Sequence, residues 1–334
     1  KKIPYAENGF YFSCDGIGNH PYHHAGMIYI QEPSAMAPVA SVDIQPGWNI
    51  LDLCASPGGK STQAAAQNPD GVLVSNEIIP SRCKTLTGNI ERMGFRNVIT
   101  TCADAKKIAS LYGEVFDLVI VDAPCSGEGM FRKDENAQNE WSVENVLHCA
   151  ERQREILDEI KTTVKPGGLL LYSTCTFSLE ENEKNVDWFL NENDNYELID
   201  VKDCVKKYTT DGIMFDGCKE KNISRCRRFY PHVAKGDGQF VALMRKTCGF
   251  GIEELPPSAL KDIPKKEQKI IFDFLDETLK SYNRNAVKKY KDNFVYLPRE
   301  AIVVKAEDWY FNHDIKLGYS MREWGMSFAL NTTI

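Results

Sequence analysis

The sequence predicts an α/β protein: a doubly wound sheet of seven strands followed by a small α+β C-terminal accessory region. Three observations carry this expectation. From Trp48 onward, short runs rich in Val, Ile and Leu alternate with longer amphipathic stretches, the pattern of repeated βαβ units. A loop with adjacent glycines, Gly58-Gly59, joins the first apolar run to the first helical stretch. After Arg245 the pattern gives way to Gly249, Gly251, Pro256, Pro257 and Pro264, the composition of a linker.

Taken in order, the expected strands are Asn49–Cys54, Val72–Asn76, Asn97–Cys102, Phe116–Asp122, Leu169–Thr174, Tyr196–Val201 and Phe240–Arg245. Helices are expected over Ser61–Ala66, Ser81–Met93, Ser142–Val164 and Leu179–Leu190. Ser142 caps the third of these, Glu144 sits near its positive end, and Pro166-Gly167-Gly168 closes it. Together these elements make one domain over residues 39–246, with a linker over 247–264. Residues 265–334 form the accessory region, with one basic amphipathic helix and short aromatic-rich strands near 295–297, 302–304, 309–311 and 324–330. Residues 1–38, which begin at Lys1 without a methionine, read as the remnant of a longer segment.

Composition narrows the function classes. With 334 residues, 43% of them hydrophobic and 26% charged, the chain is neither collagen-like nor wholly disordered. It has no apolar run long enough to span a membrane. Its eleven cysteines, an odd number scattered along a large chain, argue against a secreted disulfide framework and for a reducing, cytoplasmic setting. A net charge of −7 argues against nucleic acid unless the basic residues cluster, and they do. Residues 219–235 hold Lys219, Lys221, Arg225, Arg227, Arg228 and Lys235 against Glu220 alone, and residues 261–291 hold nine Lys/Arg against five acids. With Phe229, Tyr230, Tyr282 and Tyr290 interleaved, both stretches are candidates for phosphate contact and base stacking, although a solvated helix face explains the second equally well.

The segment from Leu51 to Ser61 leaves a buried strand, passes through two glycines and enters a helix, which is where an open α/β sheet binds its cofactor. The dinucleotide fingerprint is absent. Gly59-Lys60-Ser61 supplies the end of a phosphate loop, but Cys54 stands where its first glycine belongs, which disfavours a triphosphate. Glu77, nineteen residues after Gly58, is placed to reach ribose hydroxyls, and Asp104, past the third strand, to accept from an adenine amino group. Either carboxylate alone is equally a solvated loop residue; with the loop they point to a nucleoside ligand.

Three cysteines follow three strands: Cys54 the first, Cys125 the fourth and Cys175 the fifth. Cys54 reads as a small buried hydrophobe. Pro124 stiffens the Cys125 loop while Gly127 and Gly129 open it, so Cys125 and Cys175 are expected to border one cleft. No metal is expected: no Cys or Cys/His pair has zinc-finger spacing, and Cys14 with His20, His23 and His24 is a weak match.

The segments "LDLCASPGGKSTQ", "VDAPCSGEGMFRKD" and "LLYSTCTFSLEENE" resemble the cofactor loop, Pro-Cys motif and Thr-Cys motif of RNA (cytosine-5) methyltransferases of the Nol1/Nop2/Sun type. "YIQEPSAMAPVA" and "RFYPHVAKGDGQFVALMRK" are similar to the bacterial branch that acts on small-subunit ribosomal RNA, so the resemblance covers about residues 3–246. It implies a Rossmann-like domain and S-adenosyl-L-methionine as cofactor. It assigns the attacking thiol to Cys175 and product release to Cys125, with Lys60 and Asp122 organising the base. It carries over Cys54, Ala55, Ser56, Pro57, Gly58, Gly59, Lys60, Glu77, Asp104 and Asp122 as cofactor contacts. The implied partner is RNA, ribosomal RNA or the small subunit first and transfer RNA as the alternative. Relative to that branch, the N-terminal RNA-binding segment is largely missing and the terminal PUA-like domain incomplete or absent.

Cytosine C5 becomes nucleophilic only after a thiolate adds at C6, so covalent catalysis is required. An ordinary thiol of pKa ~8.5 is only about 3% ionised at neutral pH, so Cys175 is expected to be activated by its surroundings. To donate at cytosine N3, Asp122 must be protonated or share a proton with Lys60, whose position at a helix start is otherwise electrostatically poor. DNA cytosine-5 methyltransferases attack with the Pro-Cys thiol, so the presence of both cysteines favours RNA. Two rivals remain: a non-catalytic donor-binding RNA chaperone or assembly factor, which needs neither thiol, and an adenine N6 methyltransferase, whose tetrad is here replaced by Asp122-Ala123-Pro124-Cys125.

Overall fold

The computed structural model describes residues 1–13, 15–133, 135–249, 261–290, 293–296 and 327–329. Nine strands form the main sheet: β1 Asn49–Asp52, β2 Val72–Asn76, β3 Val98–Thr101, β4 Phe116–Asp122, β5 Val164–Thr174, β6 Tyr196–Ile199, β7 Thr210–Asp211, β8 Arg227–Phe229 and β9 Gln239–Lys246. Their order is β3-β2-β1-β4-β5-β9-β8-β7, with β6 pairing β9 as well. The first five strands run parallel, and β9 lies antiparallel to β5. Among the described residues, five helices of eight or more residues accompany it: α1 Gly59–Gln67, α2 Pro80–Met93, α3 Ala105–Tyr112, α4 Val143–Ile160 and α5 Glu183–Glu192.

The alternation within each strand divides the core. In β4, Val119 and Val121 face a layer with Ile108, Leu157 and Phe189, while Leu118 and Ile120 face Ala64, Ala65 and Val39. Strands buried on both faces read as continuous apolar runs, which is why β2 and β4 stood out in the sequence. The second layer also takes in Ile3, Tyr5, Ala6 and Ala37, so residues before 39 pack against the domain.

Several elements differ from expectation. The helix expected through Val164 ends at Ile160, because Val164 already pairs with Phe116. A register shift in the β4–β5 ladder and Gly167 at φ +78° carry the strand through Pro166-Gly167-Gly168. Helix α3 was not anticipated; Asp104 caps it, with the Lys107 amide donating to Oδ1 at 2.7 Å. β7 and β8 are additional, and β8 runs through the basic stretch.

In the C-terminal region, α6 Lys265–Thr278 packs Ile271 and Leu275 with Ile263, Val287 and Phe294. β10 Val287–Tyr290 pairs antiparallel with β11 Asn293–Tyr296, and β12 Ser327–Ala329 joins β11 in parallel. The strands expected near 302–304 and 309–311, and Cys14, lie outside the described residues.

Candidate active site

Strand order places the ends of β1, β4 and β5 side by side, so the loops bearing Cys54, Cys125 and Cys175 are neighbours. Cys54 takes no part in the thiol chemistry. It packs against the core, and burial, reinforced by the Asp52 charge, pushes its thiol far above the usual range. Cys125 and Cys175 instead meet each other, Sγ to Sγ at 3.3 Å, and both are half-buried. The hydrogen bond from Cys125 lowers the Cys175 pKa, opposed by burial and the Asp122 charge and assisted by Lys60. The same bond, with burial, raises the Cys125 pKa well above the usual range. Of the two thiols, Cys175 is thus the one shifted toward ionisation and Cys125 the one shifted away from it.

Beside the pair, Lys60 Nζ donates to Asp122 Oδ2 at 2.7 Å. Burial opposes the ammonium charge, but the Asp122 carboxylate outweighs it, and the Lys60 pKa is raised. The other Asp122 oxygen accepts from Ser173 Oγ at 2.7 Å and Gln239 Nε2 at 3.1 Å. Three donors from α1, β5 and β9 thus fix one carboxylate at the mouth of the cleft. The Lys60 ammonium is in direct contact with that carboxylate.

The two cysteine loops are tied together by buried polar groups. Glu181, fully buried, accepts from the Ser126 amide at 3.0 Å and from the Ser126 hydroxyl. It also accepts from Gln153 Nε2 at 2.8 Å, and that amide nitrogen reaches Pro124 O at 2.8 Å. Tyr172 OH donates to Gln153 Oε1, and Ser126 Oγ meets Thr176 Oγ1 at 2.9 Å. The backbone closes the assembly: the Gly129 amide donates to Cys175 O at 2.8 Å, and a Cβ on Gly129 would come within 2.7 Å of that oxygen.

The loop from Cys54 to Lys60 fits a nucleoside-bearing methyl donor. Gly58 at φ +113° precedes α1, and no side chain caps that helix, so its first amides are free to bind a carboxylate. Cys54, Ala55, Ser56 and Pro57 lead into it. Glu77, 3% exposed, stands beyond β2 with Oε1 accepting from the Ile79 amide and Oε2 3.3 Å from Arg82. Asp104 is exposed beyond β3 with Oδ1 committed to its helix cap. Asp52, beneath the loop, accepts from Ser61 Oγ at 2.6 Å through Oδ2, while its buried Oδ1 has no partner. Among the described residues there is no cluster of three or more His, Cys, Asp or Glu suited to a metal.

Residues 39–245 match the family model described as 16S rRNA methyltransferase RsmB/F. The chain belongs to that family. It is 35% identical over 309 residues to the ribosomal RNA small subunit methyltransferase F of Vibrio vulnificus strain YJ016, covering 88% of this chain and 63% of the relative. Against the protein of that name from Klebsiella pneumoniae strain 342, identity is 37% over 270 residues, covering 78% of this chain and 54% of the relative. The chain thus spans little more than half to about two thirds of the length of these relatives. A methyltransferase homologue from Pyrococcus horikoshii superposes with TM-score 0.62 at 32% identity, over 74% of this chain and 77% of that one. NSun6 of the same organism, crystallised with SFG, gives TM-score 0.60 at 26% identity over 71% and 57%.

The family motifs accounted for the two cysteines, Asp122 and Lys60, but not for what holds them. Glu181, Gln153, Ser173 and Gln239 escaped the sequence reading. The one available signal was the acidic run Glu180-Glu181-Asn182-Glu183 directly after the Thr-Cys motif, two of whose acids are fully buried. The basic stretch needs correction. Arg227 and Arg228 are buried, paired with Asp211 and Glu183, and Phe229 lies in the core. Lys219, Lys221 and Lys235 remain exposed. In the second stretch Arg284, Lys288 and Lys289 pair with Asp276, Asp262 and Glu267. No helix among the described residues is long and apolar enough to cross a membrane.

Proposed function

We propose that this protein methylates C5 of cytosine in RNA, with small-subunit ribosomal RNA as substrate and transfer RNA as the alternative. The observation that carries the reading is the Cys125–Cys175 pair beside the Lys60–Asp122 pair, at the ends of adjacent parallel strands. S-adenosylmethionine, of which the SFG bound to the archaeal relative is an analogue, supplies an electrophilic methyl group when bound. The free amides of α1, Glu77 and Asp104 would hold its carboxylate, ribose and adenine.

In this mechanism the Cys175 thiolate adds to cytosine C6, and the electron pair of the C5–C6 bond moves toward N3. Lys60 and Asp122 share the proton that neutralises N3, and C5 then takes up the methyl group. Cys125 gives its proton to solvent water and its thiolate then takes the proton from C5; that electron pair re-forms the C5–C6 double bond, Cys175 leaves C6 as a thiolate, and N3 returns its proton to the Lys60–Asp122 pair. Because Cys125 begins protonated and hydrogen-bonded to Cys175, its release as a base follows consumption of the Cys175 charge by the adduct.

The test is base analysis of small-subunit ribosomal RNA and transfer RNA incubated with the chain and methyl-labelled donor. Label in 5-methylcytosine is expected, first in the ribosomal RNA. Label in N6-methyladenine, or none, would defeat the reading.

A further inference from the structure

A column of aromatic rings begins two residues beyond Cys175. Phe177 stacks on Tyr230 with centroids 5.4 Å apart and planes inclined by 23°. Tyr230 stacks on His232 at 5.3 Å and 22°. The inner end is anchored. Arg228, held by fully buried Glu183, donates to Phe177 O at 2.9 Å and to Tyr230 OH at 3.2 Å. The Phe177 ring packs closely against Gly238, where a Cβ would meet Cζ at 2.3 Å. The outer end is open, since His232 is exposed.

The loop that carries His232 also carries or binds three cations. Lys235 is exposed three residues beyond His232, its Nζ 5.5 Å from the Tyr11 ring. Arg132 and Lys133, with 61% and 51% of their side chains exposed, are held by Asp237 on the same loop. Near-parallel stacked rings that end in an exposed imidazole, on a loop that carries or binds cations, match the chemistry of an unpaired nucleotide: a π-face flanked by phosphates.

We propose that the Phe177–Tyr230–His232 column is a stacking platform for an unpaired RNA base adjacent to the target cytosine. Lys235, Arg132 and Lys133 contact the phosphates of that strand. The proposal rests on the RNA substrate read above and adds how the strand is held. A cytosine drawn into the cleft leaves its neighbour without a stacking partner, and the ring column returns one. Every base has a π-face, so the platform contributes affinity and register without selecting a particular neighbour.

The test uses the full chain and a short single-stranded RNA oligonucleotide with one cytosine, carrying 2-aminopurine on one flank or the other. Stacking quenches 2-aminopurine fluorescence. Quenching is expected at one flank. His232→Ala should abolish it and weaken oligonucleotide binding about ten-fold, the scale of one lost base stack. His232→Phe should restore both. No quenching at either flank, or undiminished quenching in His232→Ala, would overturn the platform. The readout needs no methyl transfer. Quenching with no 5-methylcytosine formed would sink the reaction assigned above while sustaining the platform.

Discussion

Cys125 and Cys175, fifty residues apart in sequence, stand 3.3 Å apart Sγ to Sγ, and their contact shifts the two thiols in opposite directions, Cys175 down and Cys125 up. This asymmetry supports the proposal that Cys175 is the nucleophile. Lys60 faces the Cys175 side of the pair, while the Glu181 carboxylate adds negative charge on the Cys125 side.

Cys175→Ala therefore removes the attacking group and should lower methylation about a thousand-fold or more, with no RNA adduct. Cys125→Ala leaves addition and methyl transfer intact but removes the base that ends the reaction. It should accumulate a covalent protein–RNA species, seen as a slow band on denaturing gels. An equally stable adduct in the double variant would place the nucleophile elsewhere.

The thiol asymmetry can be read without RNA. Alkylation of Cys175 by iodoacetamide, followed by peptide mass spectrometry against pH, should have its midpoint below the ordinary thiol range. Replacing Cys125 by Ala removes the leading cause of that lowering, so the midpoint should move upward. An unchanged midpoint in Cys125→Ala would dissociate the two sulfurs.

The sequence exposed the parts of this site that carry chemistry and hid the parts that carry position. Strands such as Val72–Asn76 were legible because burial on both faces leaves no polar alternation to confuse. Cys125 and Cys175 stood out because they follow strand ends, whereas Lys60 and Asp122 were singled out only through the family resemblance. Arg228 was misread because a run of Lys and Arg on paper does not distinguish a solvated face from a strand, and only tertiary pairing with Glu183 buried it. Glu181 and Gln153 were missed because a carboxylate and an amide that satisfy loop backbone look like ordinary surface residues until the loops meet.

Burial of both the guanidinium and the carboxylate makes the Arg228–Glu183 pair sensitive to loss of one member. Glu183→Gln should destabilise the chain by about 3–5 kcal/mol in urea unfolding. Replacing both residues with Met should cost much less. Equal losses in the single and double variants would show that packing, and not the stranded charge, sets the penalty.

Asp52 gives a pH signature of the fold. Burial, countered by the Ser61 hydrogen bond and Lys60, raises its pKa from 3.8 to about 7. Between those values the folded state keeps a proton that the unfolded state has released. The folded chain therefore binds more protons, and stability falls as pH rises through this window, then levels off above it. Asp52→Asn cannot release that proton. Relative to the parent, it should gain about 2–4 kcal/mol between pH 4 and pH 8, measured as urea midpoints of the unloaded chain. Parallel pH curves for the two proteins would mean that Asp52 titrates normally.

Glu181 touches neither sulfur, yet it holds the loop that presents Cys125 through the Ser126 amide, the Ser126 hydroxyl and Gln153. It is a positioning residue, and the way it fails distinguishes that role from simple stability. Glu181→Gln puts an amide NH2 where one carboxylate oxygen accepted, so one donor is left facing another. The Cys175 loop keeps its own ties, including Thr174 Oγ1 to Asn182 Oδ1 at 2.6 Å and the Gly129 amide to Cys175 O. Addition to C6 should survive while resolution slows. The variant should show kcat reduced about ten- to a hundred-fold with little change in KM, together with a partial RNA adduct like that of Cys125→Ala. A merely destabilised enzyme would lose addition and resolution together and trap nothing. Loss of activity with no adduct would therefore remove Glu181 from the mechanism and leave it as a buried structural acid.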